Sequence, residues 1–446
     1  MACGLLDTIP RGRSHPYLSQ IEEPKMFTSA RSFDADSAPA TQAYAAPGRT
    51  AVAGGLEIEL ALVTTRDDFD ALEHDWNALF ERAGRSAQVF QTFNWNWHWA
   101  NHYLCSSPGG ISGLNPCIVT GRRNGRLVMI WPLASERVRG ITQIFWMGEP
   151  VSQYGDVVID DLPDAADVMA AGWAFLAANA KGDVVRLRRI RADAAVAPLM
   201  TAIGARVSDR QKAPYLDLAS TKSFEDYEQR YSPRSRRNRR RLARRIDEQG
   251  GLIFRRYKGG SEARALAVKA LELKSAWLKD RGLVSHAIAD ARMSRFFADV
   301  AEGQGKSTNC VVAALETDGD AAALEVSFTC KGRLAMHVIV FNLKYEKSGA
   351  GVLLLEQSIR DSYDDGLQTY DMLAPGDNYK LDWADNTIEV FDWVKPLSFA
   401  GYVYARIYLC FLRSRTKAAI GAMPQSLRRI MTSGYAFAIS ILGGAT

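Results

Sequence analysis

Long apolar runs and paired cysteines are both missing from this 446-residue sequence. No stretch approaches the ~18 uncharged apolar residues that a membrane-spanning helix needs. The six cysteines are scattered and form no C-x-x-C pair, so neither a structural zinc site nor a thioredoxin-type motif is indicated. The apolar patch near the N-terminus is too short for a secretory signal. These absences argue against an integral membrane protein and predict a cytoplasmic protein with reduced thiols.

Metal-binding and DNA-binding signatures are missing as well. His98 and His102 are four residues apart in the most aromatic stretch, 90–103, where a helix would place them on one face. No third ligand is evident nearby and there is no H-E-x-x-H motif, so we expect aromatic packing and predict no metal. The sequence contains no helix-turn-helix or zinc-finger pattern.

Acidic residues are absent from the segment 230–245, which contains nine arginines. Because the net charge of the chain is +5, the remainder sums to −4 (5 − 9 = −4). On a helix over 235–246, Arg236, Arg239, Arg240 and Arg244 would share one face. We expect Arg236, Arg239 and Arg240 to bind an anionic substrate. A solvated basic helix, or binding of nucleic acid such as tRNA, are the alternatives.

Hydrophobic periodicity and turn residues divide the chain into four segments. Residues 1–55 are rich in Ala, Ser, Pro, Gly and Thr and are predicted to be a disordered tail. Residues 56–214 and 215–395 follow a similar order of strands and helices, which predicts an α/β fold with two mixed-sheet domains. Residues 396–446 are aromatic and basic and are predicted to form amphipathic helices. We expect these helices to pack on the body, with contact to a membrane surface as the alternative.

The most informative window lies between residues 322 and 380. A predicted strand over 336–341 leads through Lys347-Ser348-Gly349-Ala350-Gly351 into a helix predicted over 352–365. Glycines before a helix let the backbone approach a phosphate, and the first amides of the helix are free to bind it. The next strand, 368–373, runs into a polar loop, so Asp371, Asp377, Tyr379 and Lys380 are candidate site residues. The window therefore predicts a site for a pyrophosphate.

This window resembles the acyl-CoA-binding half of GNAT acyltransferases. The whole segment 56–395 resembles the CelD-type, FemAB-like branch of that superfamily. The resemblance is carried by Phe90-Gln91-Thr92, the arginine run 232–240, Ser348-Gly349-Ala350-Gly351, Tyr370-Asp371-Met372-Leu373 and Tyr379-Lys380. One position departs from the family pattern: Glu346 stands where the GNAT turn usually has Arg or Gln, so Lys344 or Lys347 is expected to supply the positive charge.

The resemblance implies two GNAT-like domains packed together and acyl transfer from a thioester. It implies that acyl-CoA, with acetyl-CoA as the expected donor, binds along the strand end and the turn, at Ile339, Val340, Phe341, Lys347, Ser348, Gly349, Ala350, Gly351 and Val352. Such chemistry needs a general base and a donor near the oxyanion. The candidates are His337, Asp371, Tyr379 and Lys380, although Asp371 also fits a salt bridge and His337 a core residue.

The predicted protein is thus an N- or O-acyltransferase whose acceptor is a small molecule or a polysaccharide precursor. Two alternatives remain at this point. One is a FemAB-type transferase that takes its acyl group from aminoacyl-tRNA. The other is a non-catalytic accessory protein of exopolysaccharide synthesis.

Overall fold

A computed structural model describes residues 50–53, 57–104, 113–248, 250–283, 285–303 and 306–407. Most of the predicted tail and most of the predicted C-terminal helices lie outside these ranges. Inside them, Thr50–Ala53 is a strand although it falls within the predicted tail, and Phe399–Val403 is a helix. No helix in the described ranges is long and apolar enough to cross a membrane.

The strands are numbered in chain order. They are β1 Thr50–Ala53, β2 Ile58–Val63, β3 Asn115–Pro116, β4 Ile118–Arg123, β5 Arg126–Trp131, β6 Leu133–Val138, β7 Ile141–Trp146, β8 Val158–Ile159, β9 Val184–Arg191, β10 Arg206–Asp217, β11 Ile253–Tyr257, β12 Cys310–Thr317, β13 Asp320–Cys330, β14 Arg333–Phe341, β15 Thr369–Asp371 and β16 Asn386–Pro396.

The α-helices are numbered in the same way. They are α1 Arg66–Ala71, α2 Glu73–Ala83, α3 Phe93–Tyr103, α4 Ala165–Asn179, α5 Ala197–Ala202, α6 Phe224–Glu228, α7 Pro233–Asp247, α8 Gly260–Asp280, α9 His286–Ala289, α10 Ala291–Glu302, α11 Ala350–Asp364, α12 Asn378–Leu381 and α13 Phe399–Val403.

The strands form two sheets. One has five antiparallel strands in the order β1-β2-β4-β5-β8. The other has eleven strands in the order β11-β12-β13-β14-β15-β10-β16-β9-β7-β6-β3. The α/β class predicted from sequence is confirmed, as are the hairpin turn at Asn124-Gly125 and the basic helix, which is α7.

The same strand–helix–strand unit occurs in each half of the large sheet. Strands β7 and β9 are parallel and joined through α4, and β14 and β15 are parallel and joined through α11. The last strand of each half, β10 in the first and β16 in the second, pairs with strands of the other half. Strand β10 lies between β15 and β16, and β16 lies between β10 and β9. This exchange joins the two halves into one continuous sheet.

Strands β14 and β15 pair over only three residues, and this shortness creates the candidate site. Arg333, Leu334 and Ala335 pair with Thr369, Tyr370 and Asp371. Strand β14 then continues to Phe341 without a neighbour on that side. An open edge of a parallel pair leaves backbone amides and carbonyls available to a ligand.

Aromatic side chains form the core beside this edge. Thr92 caps α3 by accepting a hydrogen bond from the Trp95 amide at 3.3 Å. From α3, Trp95 and Trp99 are fully buried, and Trp95 packs against Phe296 of α10 and Phe328 of β13, with ring centroids 5.0 and 4.9 Å away. The expected aromatic packing of this stretch is therefore confirmed.

Candidate functional site

The glycine turn brings the chain into α11 with unpaired amides at its start. Gly349 caps the helix with φ 73°, in the left-handed region that favours glycine. Its carbonyl accepts hydrogen bonds from the amides of Val352 and Leu353 at 3.0 and 3.1 Å. The amides of Ala350 and Gly351 donate to no backbone carbonyl within the described ranges. Two amides at the helix start thus lack a backbone partner, as anion binding requires, and Gly351 is the more exposed of the two because Ala350 is buried.

The two glycines of this turn have different neighbours. A Cβ at Gly349 would lie 2.8 Å from Leu242 Cδ1 of α7, so the end of the Leu242 side chain would have to shift to admit it. A Cβ at Gly351 would lie 3.2 Å from Phe341 Cδ1, a contact that a small shift of that ring could relieve. Helix α7 therefore closes over the turn through Leu242, while Phe341 at the end of β14 borders Gly351.

The structure brings most of the expected cofactor residues together. Lys347 and Val352 are exposed beside the turn, whereas Ser348 and Ala350 are buried under it. Ile339 and Phe341 are half-buried along the open edge of β14. Val340 is buried and belongs to the aromatic core on the opposite face, so only its backbone is available to the edge.

The turn receives a positive charge that the sequence pattern did not reveal. Glu346, the residue that departs from the GNAT signature, accepts a hydrogen bond from Arg281 Nη2 at 2.8 Å. Arg281 lies just after α8, with its guanidinium 4.2 Å from the centre of the Trp277 ring. Arg281, 65 residues upstream, thus forms an ion pair with Glu346 beside the turn.

Asp371 is the centre of a buried network that joins the two halves of the chain. Its side chain is fully buried and accepts hydrogen bonds from four groups. The donors, with their distances, are Tyr154 Oη (2.9 Å), the Leu373 amide (2.9 Å), Arg191 Nη1 (3.1 Å) and Arg333 Nη1 (2.9 Å). Four donors use the acceptor capacity of a carboxylate, which favours the salt-bridge interpretation over a catalytic base.

His337 occupies the position where β13 and β14 lose their register. Val326 pairs with Val338 and Ser327 with Met336, which leaves His337 unpaired at a β-bulge. Its Nε2 lies 2.6 Å from the Val151 carbonyl oxygen, so that nitrogen carries the proton and donates. Its Nδ1 is buried and has no hydrogen-bond partner among the described residues. Burial lowers the pKa of His337 to about 4, so the ring is neutral at pH 7.

Lys380 and Tyr379 begin the short helix α12, next to β15. Lys380 is 7% exposed, and its Nζ donates to the carbonyl oxygens of Leu373 and Pro375, each at 3.1 Å. Burial lowers the pKa of Lys380 to about 8. Tyr379 is 42% exposed, but desolvation of its hydroxyl and the nearby Asp377 raise its pKa, so it remains protonated.

A buried carboxylate that the sequence analysis missed lies under α11. Glu325 of β13 is 1% exposed. Its Oε1 accepts from the Ser327 and Ser358 hydroxyls at 2.5 and 2.9 Å, and its Oε2 accepts from Tyr370 Oη at 2.9 Å. Burial raises its pKa, and its charge contributes to the raised pKa of Tyr379.

The three substrate-binding arginines expected from sequence lie in three different environments. Arg239 is 6% exposed and donates from Nε to Glu356 Oε1 of α11 at 2.9 Å. Its guanidinium also stacks 4.7 Å from the Tyr231 ring centre. Arg236 is half-buried and donates to Gln229 Oε1 at 2.9 Å, and Arg240 is exposed. The buried face of α7 is thus Arg239, Leu242, Ala243 and Ile246, and Arg239 ties α7 to α11.

The two histidines of the aromatic stretch have other partners. His98 Nε2 lies 2.7 Å from the Lys306 carbonyl oxygen, and His102 Nε2 lies 2.8 Å from Asp299 Oδ2. Within the part of the chain that the structure describes, no three His, Cys, Asp or Glu side chains are grouped so that they could hold a metal ion.

Comparison with known proteins identifies the segment that carries the turn. Residues 233–381 match the family model of the acetyltransferase (GNAT) domain. This segment, which is less than half of the chain, is similar to a GNAT-type acetyltransferase domain. It contains the turn, the open edge of β14 and α12, and the match supports an enzyme of the N-acyltransferase class.

Solved structures align with more of the chain than the family model does. The FemX structure is 9% identical, covers 75% of this chain and 98% of its own, and superposes with a TM-score of 0.51, a likeness of fold alone. L-PGS from Bacillus licheniformis is 12% identical, with coverage of 77% and 96% and a TM-score of 0.45. A tandem GNAT protein from the clavulanic acid biosynthesis pathway is 16% identical, with coverage of 77% and 99% and a TM-score of 0.44. No curated protein matches the chain in sequence.

Proposed function

We propose that the protein transfers an acyl group, with acetyl as the working choice, from acyl-CoA to an amine or hydroxyl. The acceptor is a small molecule or a polysaccharide precursor, as the CelD-type resemblance implies. The observation that carries the proposal is the open edge of β14, which leads directly to the two free amides of Ala350 and Gly351 within the GNAT segment.

The residues at this edge fit binding of a CoA thioester. The free amides of the turn and the guanidinium of Arg281 suit the phosphates. The backbone of Ile339 and Phe341 has no strand neighbour on this side, although the Ile339 carbonyl accepts from Lys274, and it suits an amide-containing chain laid along β14. Bound CoA supplies an activated thioester carbonyl, and the protein supplies proton transfer around it.

Two side chains are the candidates for the proton transfers. The amine that attacks the thioester becomes acidic, but Nδ1 of His337 is buried and its ring packs against Trp95, Phe297 and Phe328, so His337 can take the proton only if those rings move. Tyr379 stays protonated and can donate to the leaving thiolate. Asp371 acts at a distance by holding the loop that presents Lys380.

A charge change at Gly351 tests the CoA site. Gly351→Glu should lower the affinity for CoA by about tenfold, because a carboxylate ~4 Å from a phosphate costs roughly 4 kcal/mol before salt and relaxation reduce it. An acid in the first turn of a helix is otherwise favourable, so the variant should stay folded. Calorimetry with CoA and circular dichroism of both proteins are the measurements.

The matched control is Gly351→Ala. Both side chains place a Cβ 3.2 Å from Phe341 Cδ1, so both require the same shift of that ring, and only Glu adds charge. The alanine variant should bind CoA nearly as tightly as the parent protein. Equal CoA affinities in the glutamate and alanine variants would show that the turn does not hold the phosphates.

An aminoacyl-tRNA donor is the second candidate, and α7 supports it. Seven arginines of this helix, Arg234, Arg236, Arg237, Arg240, Arg241, Arg244 and Arg245, have no carboxylate partner in the described ranges. Unneutralised arginines attract nucleic acid phosphates, and binding then weakens steeply with salt. Titration with tRNA at 50 and 200 mM salt decides between the donors. Tight tRNA binding that survives 200 mM salt, with no CoA binding, would favour this candidate.

A further inference from the structure

Three cationic side chains lie around the open edge of β14, and their hydrogen-bond acceptors are all neutral oxygens. They are Arg189 of β9, Lys274 of α8 and Lys380 of α12. Their acceptors are the Ser152 carbonyl (3.0 Å) and Gln153 Oε1 for Arg189, the Ile339 carbonyl (3.4 Å) for Lys274, and the Leu373 and Pro375 carbonyls (both 3.1 Å) for Lys380. We call this group of three the cationic crevice. Arg189 and Lys274 remain partly exposed, so water reaches it.

Lys380 feels the charge of the other two cations. Burial lowers the pKa of Lys380, and the charges of Lys274 and Arg189 lower it further. Burial, and the charge of the neighbouring Arg188, lower the pKa of Arg189 to about 10, and burial lowers that of Lys274. Buried cations of this kind are stable only when a counter-charge reaches them.

The carboxylates nearby are committed to other partners. Asp371 is saturated by four donors, two of them arginines. Asp392 accepts from Arg188 Nε at 3.0 Å and from the Arg189 amide at 2.9 Å. Asp377, the remaining acid that acts on Lys380, is exposed to solvent. Asp377 also acts on Lys274, and Glu149, which acts on Arg189, pairs with Arg186 and Arg188. None of these acids forms an ion pair with a cation of the crevice in the described ranges.

The backbone at Arg189 is held in a strained conformation. Its φ is 59°, a left-handed value that non-glycine residues seldom adopt. The hydrogen bond from its amide to Asp392 maintains this conformation, and the guanidinium is thereby directed to the loop that contains Gln153. Strain that the surrounding structure maintains is characteristic of ligand-binding positions.

We propose that the cationic crevice binds a carboxylate of the substrate, so that the enzyme acts on an anionic acceptor or transfers a dicarboxylic acyl group. The location fits the reacting end of the substrates. Lys274 contacts the carbonyl of Ile339, which lies two residues, or about 7 Å, before Phe341 on β14, so the crevice lies on the strand before the phosphate turn. This inference rests on the proposed acyl transfer for its biological meaning, but its test does not depend on CoA.

Binding of small carboxylates tests the crevice directly. Calorimetry would compare succinate with its neutral analogue succinamide, and with inorganic phosphate, on the full chain. The parent protein should bind succinate at least about tenfold more tightly than succinamide, because a charge-assisted hydrogen bond contributes that much. Lys274→Met should lose this preference and keep its melting temperature, since it removes a buried cation that has no carboxylate partner.

Lys269→Met is the matched control, because Lys269 lies on the same helix and is exposed, 3.8 Å from Glu272. It should keep the preference for succinate. Equal binding of succinate and succinamide, a preference that survives Lys274→Met, or phosphate binding as tight as succinate binding would each overturn the proposal.

Two further comparisons assign the source of the carboxylate. If succinyl-CoA binds more tightly than acetyl-CoA, and Lys274→Met loses this difference, the carboxylate belongs to the acyl group. If glycine is acylated faster than glycinamide, and Lys274→Met loses this difference, the carboxylate belongs to the acceptor.

CoA binding measured on the same samples separates the proposed acyl-CoA donor from the proposed crevice. Carboxylate preference without CoA binding removes the proposed donor and keeps the crevice, and the reverse result keeps the donor and removes the crevice.

Discussion

Asp371 couples the stability of the two halves of the chain. Replacing it with Asn leaves Arg191 and Arg333 buried without their counter-charge. Breaking one side of a buried charge network costs about 3–5 kcal/mol, so the free energy of unfolding should fall by at least about 3 kcal/mol. Urea denaturation measures this, with Asp377→Asn as the control at an exposed carboxylate of the same loop. A catalytic base would behave differently: activity would be lost while the unfolding curve stayed in place.

Lys380 makes the stability of the protein depend on pH in the alkaline range. Its pKa is about 8 when folded and about 10.4 when unfolded, so below pH 8 the folded state bears the full cost of a buried charge. Between pH 8 and 10.4 the unfolded state binds more protons, and the free energy of unfolding should rise by about 3 kcal/mol from this group.

Lys380→Met should remove that rise. The variant leaves the Leu373 and Pro375 carbonyls without a donor, but this loss is the same at every pH. Urea denaturation of both proteins at pH 7.5, 8.5 and 9.5 is the measurement, and the difference between them should change steadily over this range. Parallel stability curves would mean that Lys380 has an ordinary pKa in the folded protein.

At the scale of elements, α7 and α11 meet at Gly349. Gly349→Ala should destabilise the protein in two ways. A left-handed conformation costs a non-glycine residue roughly 1–2 kcal/mol, and the new Cβ would meet Leu242 Cδ1 at 2.8 Å, an overpacking that costs about 1–3 kcal/mol.

A double-mutant cycle separates these two costs. In a Leu242→Ala background the steric cost disappears, so Gly349→Ala should then cost only about 1–2 kcal/mol. Thermal or urea denaturation of the four proteins provides the cycle. Additive effects of the two substitutions would show that α7 does not press on the turn.

The sequence predicts the elements of the site better than the contacts between them. The glycine turn, the strand before it and the helix after it are local features, and the structure confirms them as β14 and α11. The buried face of α7 could not be chosen from charge alone. That face is determined by the apolar side chains that are buried, which are Leu242, Ala243 and Ile246, and Arg239 lies on the same face.

Side chains that reach the site from distant segments were missed for a physical reason. These side chains are separated in sequence by 65 to 180 residues from the groups that they contact. They belong to Arg191, Lys274 and Arg281. No spacing in the sequence connects them with the turn or with Asp371. Glu325 carries a weak local signal, since a lone acid in an otherwise apolar strand calls for a partner, and its partners Ser358 and Tyr370 lie on other elements.

At the scale of the whole molecule, the exchange of β10 and β16 determines how the halves depend on each other. The domain boundary proposed from sequence, between residues 214 and 215, falls inside β10 Arg206–Asp217. The second half expressed as residues 219–446 would lack β10, so β15 and β16 would lose the strand that separates them. The first half would in turn lose β16, which pairs with β9.

We therefore expect neither half to fold alone. Residues 219–446 by themselves should expose two unpaired strand edges and should aggregate or melt without cooperativity. Co-expression with residues 1–218 should restore a single cooperative transition near that of the intact chain, because both edges are then paired again. Size-exclusion chromatography and thermal circular dichroism of each fragment and of the pair are the measurements. A sharp transition in residues 219–446 alone would mean that β14, α11 and β15 are stable without the exchanged strand, and that the halves are associated rather than interdependent.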